Sequence, residues 1–178
     1  MGLVAGLVSL AVSACATTGA PAERAPAPVT LGPPLSFHFD SLDEREVSSE
    51  ALRGRATVLL FLTTYGDPSL LQARYAKKVV GAHTPRINAA AVFLERVDNR
   101  PLVRIYRDAS GIGFPCAMAD EGTVRGEGPI AGTGTVPMVV VLDAEGREVW
   151  RKIGVALPDE ITRALRDAQR GVWGERHE

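Results

Sequence analysis

At 178 residues the chain has room for one domain with a substantial core plus a tail, and its 46% hydrophobic and 23% charged residues are ordinary for a globular protein. Its 20 basic and 21 acidic side chains leave a formal charge of −1, so there is no basic footprint for nucleic acid. The longest charged run, Asp43-Glu44-Arg45-Glu46, reads as a solvated turn rather than a docking patch.

Leu3 to Ala14 is uncharged and apolar, too short to span a bilayer but the right size for a signal-peptide core. It ends in Val12-Ser13-Ala14-Cys15, which resembles the lipobox of bacterial lipoproteins. That resemblance implies cleavage before Cys15, acylation of its sulfur and new amino terminus, and, with Ala16 following, sorting to the outer membrane. Small residues at 13 and 14 suit a narrow peptidase site, and two or more acyl chains anchor stably where one does so poorly. No Lys or Arg precedes Cys15, a departure from the basic start of such signals that a start codon further upstream would explain. Residues 16 to 34, ATTGAPAERAPAPVTLGPP, hold five of the 12 prolines, and Val29 and Leu31 are their only large apolar side chains. This stretch reads as a flexible tether of polyproline character. The expected organisation is a signal peptide over 1–14, a tether over 15–34, a folded domain over 35–172 and a tail over 173–178.

Phe37-His38-Phe39 alternates like a short strand, Val47 suits a second, and Ser49 to Leu52 reads as a helical turn. Ala56 to Leu62 is a continuous, β-branched-rich apolar run, the pattern of a strand buried on both faces. A helix follows, with Asp67 as N-cap, Pro68 at the first helical position, and Leu71, Tyr75 and Val79 as its apolar recurrence. Lys77 and Lys78 suit its last turn, and Gly81 can close it.

Ala89 to Leu94 predicts a further strand, and Arg100 to Ala109 a helix stopped near Gly111. Phe114 to Met118 is a short apolar segment, and Gly122 to Gly134 a Gly-rich connection. Met138 to Leu142 and Arg147 to Lys152 flank Asp143-Ala144-Glu145-Gly146, a hairpin turn. The last helix starts near Pro158, with Ile161, Ala164, Leu165 and Ala168 on its apolar face. This order of elements predicts an α/β sandwich.

Several short words in this order resemble the thioredoxin-like superfamily, in particular membrane-tethered TlpA-like thiol-disulfide oxidoreductases. They are Leu52-Arg53-Gly54-Arg55, Phe61 to Ser69, Gly113-Phe114-Pro115, Thr135-Val136-Pro137 and Leu142 to Arg147. The resemblance covers about residues 35 to 170 and implies a central mixed β-sheet flanked by helices. It also implies that Pro137 is a cis-proline facing the active-site helix, with the backbone of Val136 open to an extended peptide. The family's two redox cysteines would fall at Gly66 and Ser69.

Thiol-disulfide exchange needs a thiolate attacker and a second thiol to resolve the mixed disulfide. Gly66 offers no side chain, Ser69 a hydroxyl that forms no disulfide, and no cysteine lies between residues 16 and 115. With Cys15 acylated, Cys116 is the single remaining thiol. It reads either as a small buried apolar residue or as the thiol of a one-cysteine peroxidase or sensor. Asp67 reads as a cap contributing about 1 kcal/mol, or as an acid–base carboxylate without identified partners. Tyr65, in the place of the family's aromatic, either lines a peptide groove or covers the loop.

His38, His83 and His177 have no metal-ligand spacing, no Gly-x-Ser-x-Gly elbow accompanies Ser69, and Gly126 to Gly134 lacks a phosphate-loop lysine. No metal or cofactor is expected. The sequence therefore points to a lipid-anchored cell-envelope protein with a redox-inactive thioredoxin-like domain. Its expected role is to bind an envelope protein or peptide through Tyr65, Gly66, Asp67, Pro68, Ser69 and Val136-Pro137. The alternatives are an oxidoreductase relying on Cys116 and a purely structural envelope protein.

Overall fold

The computed structural model describes residues 31–171. Seven strands form one sheet: β1 (His38–Ser41), β2 (Val47–Ser48), β3 (Thr57–Leu62), β4 (Asn88–Phe93), β5 (Cys116–Met118), β6 (Met138–Leu142) and β7 (Glu148–Ile153). The helices are α1 (Asp67–His83), α2 (Arg100–Ser110), α3 (Glu121–Val124) and α4 (Pro158–Arg170). The sheet order is β2-β1-β5-β4-β3-β6-β7. Strand β3 lies inside the sheet, between β4 and β6, because its apolar run serves two faces at once, and all six of its residues are buried. It pairs parallel with β4 and antiparallel with β6, so α1 makes the crossover from β3 to β4.

The pleat sends alternate side chains to opposite faces. Val58, Leu60 and Leu62 meet Ala73, Ala76 and Val79 of α1, Val103 of α2 and Ile161 and Leu165 of α4 in one core. Leu59 and Phe61 face the other way, where no long helix among the described residues covers the sheet. There the segment entering β1 closes the core. Phe37 stacks on Phe39 at 5.5 Å between centroids, and Phe39 meets Phe61 edge-on at 6.3 Å.

Helix α1 departs from the sequence reading in three respects. Asp67 is its first residue rather than its cap; Gly66 holds the cap position, and no side chain caps it. The helix passes through Gly81, whose missing side chain weakens a helix by about 1 kcal/mol without ending it. It stops at Thr84 before Pro85, which cannot continue the hydrogen-bond ladder, so His83 rather than the two lysines occupies the last turn. The buried face is Ser69, Gln72, Ala73, Ala76 and Val79, while Leu71 is exposed and Tyr75 half-buried. Small side chains let the helix sit close on the sheet, and that outweighs the larger residues in choosing the face.

The Gly-rich connection contains α3, which the sequence reading missed. Asp120 Oδ1 accepts the Thr123 amide at 2.8 Å, an N-cap whose signal was the Asp-x-x-Thr spacing. The charged run 43–46 is tied down rather than merely solvated. Asp43 pairs with Arg45 and Arg107, and Arg45 donates to the Gly113 carbonyl at 2.7 Å. No helix among the described residues is long and apolar enough to cross a membrane. Cys15, the apolar lead, the tether as far as residue 30 and the tail with His177 lie outside the described residues.

Candidate functional site

Between the end of β3 and the start of α1 the chain must turn from sheet to helix in four residues, Thr63 to Gly66. Gly66 completes the turn at φ 94° and ψ 132°, a conformation that L side chains rarely adopt. The Thr63 hydroxyl donates to the Tyr65 carbonyl at 2.8 Å, and the Thr63 amide donates to Ser69 Oγ at 3.2 Å. Since the Thr63 hydroxyl proton is already directed to Tyr65, Ser69 must be the donor in the 3.3 Å contact between the two hydroxyls. Ser69 thus both accepts and donates, and it is 2% exposed. It fastens the helix to the strand end, and among the described residues no imidazole partners it. Its observed bonds are those of a structural hydroxyl.

A second fastening comes from Glu95, which sequence reasoning missed. One carboxylate oxygen accepts the Thr64 amide at 2.8 Å and the Thr64 hydroxyl at 2.7 Å; the other accepts the Asn99 side-chain amide at 2.9 Å. Glu95 is buried, so these three donors replace water around it. An acid immediately after the apolar run Ala89 to Leu94 was the available signal. Gln72, one turn beyond Ser69, is also buried and was also missed. Its Oε1 accepts the Ala156 amide at 2.6 Å, while its Nε2 has no partner among the described residues.

Strand β6 brings Val136-Pro137 to the same end of the sheet. Phe61 pairs with Met138, so the residues just before the loop and just after Pro137 are neighbours. The Val136–Pro137 peptide is cis, and the Pro137 carbonyl accepts the Gly154 amide at 2.8 Å. Tyr65 projects from this end with 70% exposure, and Gly66, Asp67 and Pro68 are exposed beside it. Asp67 lies in the first helical turn, at the positive end of the helix dipole.

Cys116 lies elsewhere. It pairs with Ala91, level with Leu60, and is two strands away from β3. The side chain is fully buried and its thiol donates to the Phe114 carbonyl at 3.5 Å. Burial pushes that thiol up to about 12, although Arg107 and Arg45 pull in the other direction. At neutral pH it is a protonated, inaccessible thiol, so it makes a poor nucleophile. His38 sits beside Glu46 at the surface, and His83 Nδ1 lies 2.9 Å from the Val79 carbonyl. Among the described residues no group of three His, Cys, Asp or Glu side chains is placed to hold a metal.

A central mixed sheet, a helix springing from the end of β3, and a cis-proline loop beside it define a thioredoxin-like fold. No protein-family model matches the chain, and no curated protein matches it significantly. Solved structures do. A thiol:disulfide interchange protein of the thioredoxin family from Chlorobium tepidum is 26% identical with a TM-score of 0.64, covering 80% of this chain and 99% of that one. A DsbF homologue from Corynebacterium diphtheriae reaches a TM-score of 0.67 at 14% identity, over 77% of this chain and 87% of its own. A secreted Mycobacterium tuberculosis disulfide oxidoreductase homologous to E. coli DsbE gives 0.60 at 15% identity, over 74% and 95%. The structural neighbours are thus thioredoxin-like thiol-disulfide oxidoreductases.

Proposed function

We propose that this protein is an extracytoplasmic, lipid-anchored binding module that uses a thioredoxin-like scaffold without dithiol chemistry. An extended peptide or envelope protein docks between the Tyr65 to Ser69 loop and Val136-Pro137. One observation carries the reading: the helix start is fully built without sulfur. Ser69 is committed to Thr63, Gly66 bears no side chain, and the one described thiol is buried in β5. A secreted oxidoreductase among the structural neighbours supports the compartment. Acylation of Cys15 rests on the lipobox-like Val12 to Cys15 and the proline-rich stretch after it.

Two measurements test this function. Dithiol-driven reduction of a model disulfide by the full chain is expected to run at the uncatalysed rate; a catalysed rate would overturn the redox-inactive reading. A photo-crosslinking residue in place of Tyr65 is expected to give a discrete adduct in intact envelopes. The same probe at exposed Leu71, on the outer side of α1, is expected to give none. Equal labelling from both positions would remove the groove as the binding site.

A further inference from the structure

We infer that the end of the domain opposite the groove docks on an anionic membrane surface through Arg53, Arg55 and Arg86; this rests on acylation of Cys15. The tether joins the fold at that end. The Leu35 amide donates to the Gly146 carbonyl at 2.9 Å, and the Gly54 amide to the Ala144 carbonyl at 2.8 Å. Arg53 stands against the same turn, since a methyl placed on Gly146 would lie 3.7 Å from its Nε. The turn follows Leu142, which pairs with Thr57 at the start of β3, whereas the candidate groove lies beyond the other end of that strand.

Arg55 and Arg86 each stand two residues before the paired Thr57 and Asn88 of parallel strands. Both lie in the bends that lead into these adjacent strands. Ala51, Arg53, Gly54, Arg55 and Asn88 line a concavity of about 380 Å³. All three arginines are exposed, and none makes an ion pair within 4.0 Å among the described residues. Two of the three nearby acids are already ion-paired. Asp143 and Glu145 pair with Arg147, and Glu50 accepts the Ser49 hydroxyl at 3.0 Å, with Arg53 acting on it only from beyond ion-pair distance.

Geometry and charge select the same occupant. The tether over residues 16–34 reaches roughly 60 Å when extended, so it keeps this end within range of the lipid to which Cys15 would be attached. Tethering turns docking into an intramolecular event at high effective concentration. Three arginines, each weakly attracted to an anionic surface, then suffice to hold the domain down. Docked this way, the domain presents Tyr65 and Val136-Pro137 away from the membrane.

The test uses the full-length acylated protein in vesicles, with a fluorophore on Ala51→Cys at the arginine end or on Tyr65→Cys at the groove end. Cys116 is buried and does not compete for label. Energy transfer to a headgroup acceptor is expected to be strong from position 51 and weak from position 65 in vesicles containing one-quarter phosphatidylglycerol. It is expected to collapse in neutral phosphatidylcholine vesicles or in high salt. Combining R53Q, R55Q and R86Q is expected to weaken docking roughly a hundredfold, about fivefold per arginine, with an unchanged thermal midpoint; R163Q is the control. Transfer from position 51 that ignores lipid charge, salt and the three substitutions would overturn the inference. So would release by inorganic phosphate well below the ionic strength at which chloride releases the domain, because the ligand would then be free phosphate. Mass measurement of the purified chain separates the two readings: an unmodified Cys15 removes the anchor and this inference with it, whereas an acylated chain that fails to dock removes only this inference.

Discussion

Replacing Gly66 by alanine probes whether the loop that lacks thiols is merely missing them or is built differently. At φ 94° and ψ 132° an L side chain is strained by about 1–3 kcal/mol. Loss of glycine's freedom in the unfolded chain offsets about 0.4–1 kcal/mol of this. Space is not the obstacle, because the nearest atom to an added Cβ is Pro68 Cδ at 3.8 Å. The net expectation is a loss of about 1–2 kcal/mol. Gly81→Ala supplies the opposite sign. It lies within α1 with nothing within 4 Å of an added Cβ, so it is expected to gain about 0.5–1 kcal/mol. Urea unfolding with a slope of about 1–3 kcal/mol per molar would separate the two midpoints by roughly 1 M. A Gly66→Ala midpoint at or above that of the unsubstituted protein would refute the strain argument. Gly66→Cys inherits the same strain, so placing thiols in this loop does not by itself give a relaxed redox site.

Glu95→Gln replaces one acceptor oxygen by a donor facing either the Thr64 amide and hydroxyl or the Asn99 amide; denaturant unfolding is expected to show a loss of about 1–3 kcal/mol. Ser69→Ala leaves the buried Thr63 amide without its acceptor and is expected to cost about 1–3 kcal/mol, checked by the same unfolding curve and by faster hydrogen exchange at Thr63. For Cys116, thiol reagents are expected to label the native protein slowly and the denatured protein at once; fast native labelling would contradict its burial. Its raised pKa adds a sign: from 9.0 to about 12 the unfolded chain has lost a proton that the folded chain keeps, so stability is full below pH 9 and falls as pH rises through that window. The slope due to Cys116 is about 1.4 kcal/mol per pH unit, and Cys116→Ala is expected to flatten the alkaline limb by that amount.

Elements built from long apolar runs were legible because their pattern and their packing state the same requirement. Thr57–Leu62, Asn88–Phe93 and Met138–Leu142 fall within a residue or so of their predicted limits, and α2 closes on Gly111 in the left-handed conformation. The start of α1 was misread because Asp67-Pro68 satisfies a cap-plus-proline pattern equally well one position earlier. The sequence does not say that Gly66 can take the cap position at positive φ. The face of α1 was misread for a related reason: hydrophobic spacing favours Leu71 and Tyr75, but tight packing on a sheet favours Ser69, Ala73 and Ala76. At the candidate site the absent cysteines were plain from the sequence. The hydrogen bonds from Thr64 to Glu95 were not, because they link residues 31 positions apart in the chain.

The segment that closes the core around Leu59 and Phe61 also sets the order in which the domain can be completed. Leu35 must wait for the Gly146 carbonyl, and Phe37 and Phe39 sit in the same core as Val140 and Leu142. The first part of the domain to be made is thus completed in part by strands made much later. Such long-range closure is slow and leaves the central strands exposed on one side until most of the chain is present. A chain threaded across a membrane from its N-terminus would therefore reach the far side before this core could close.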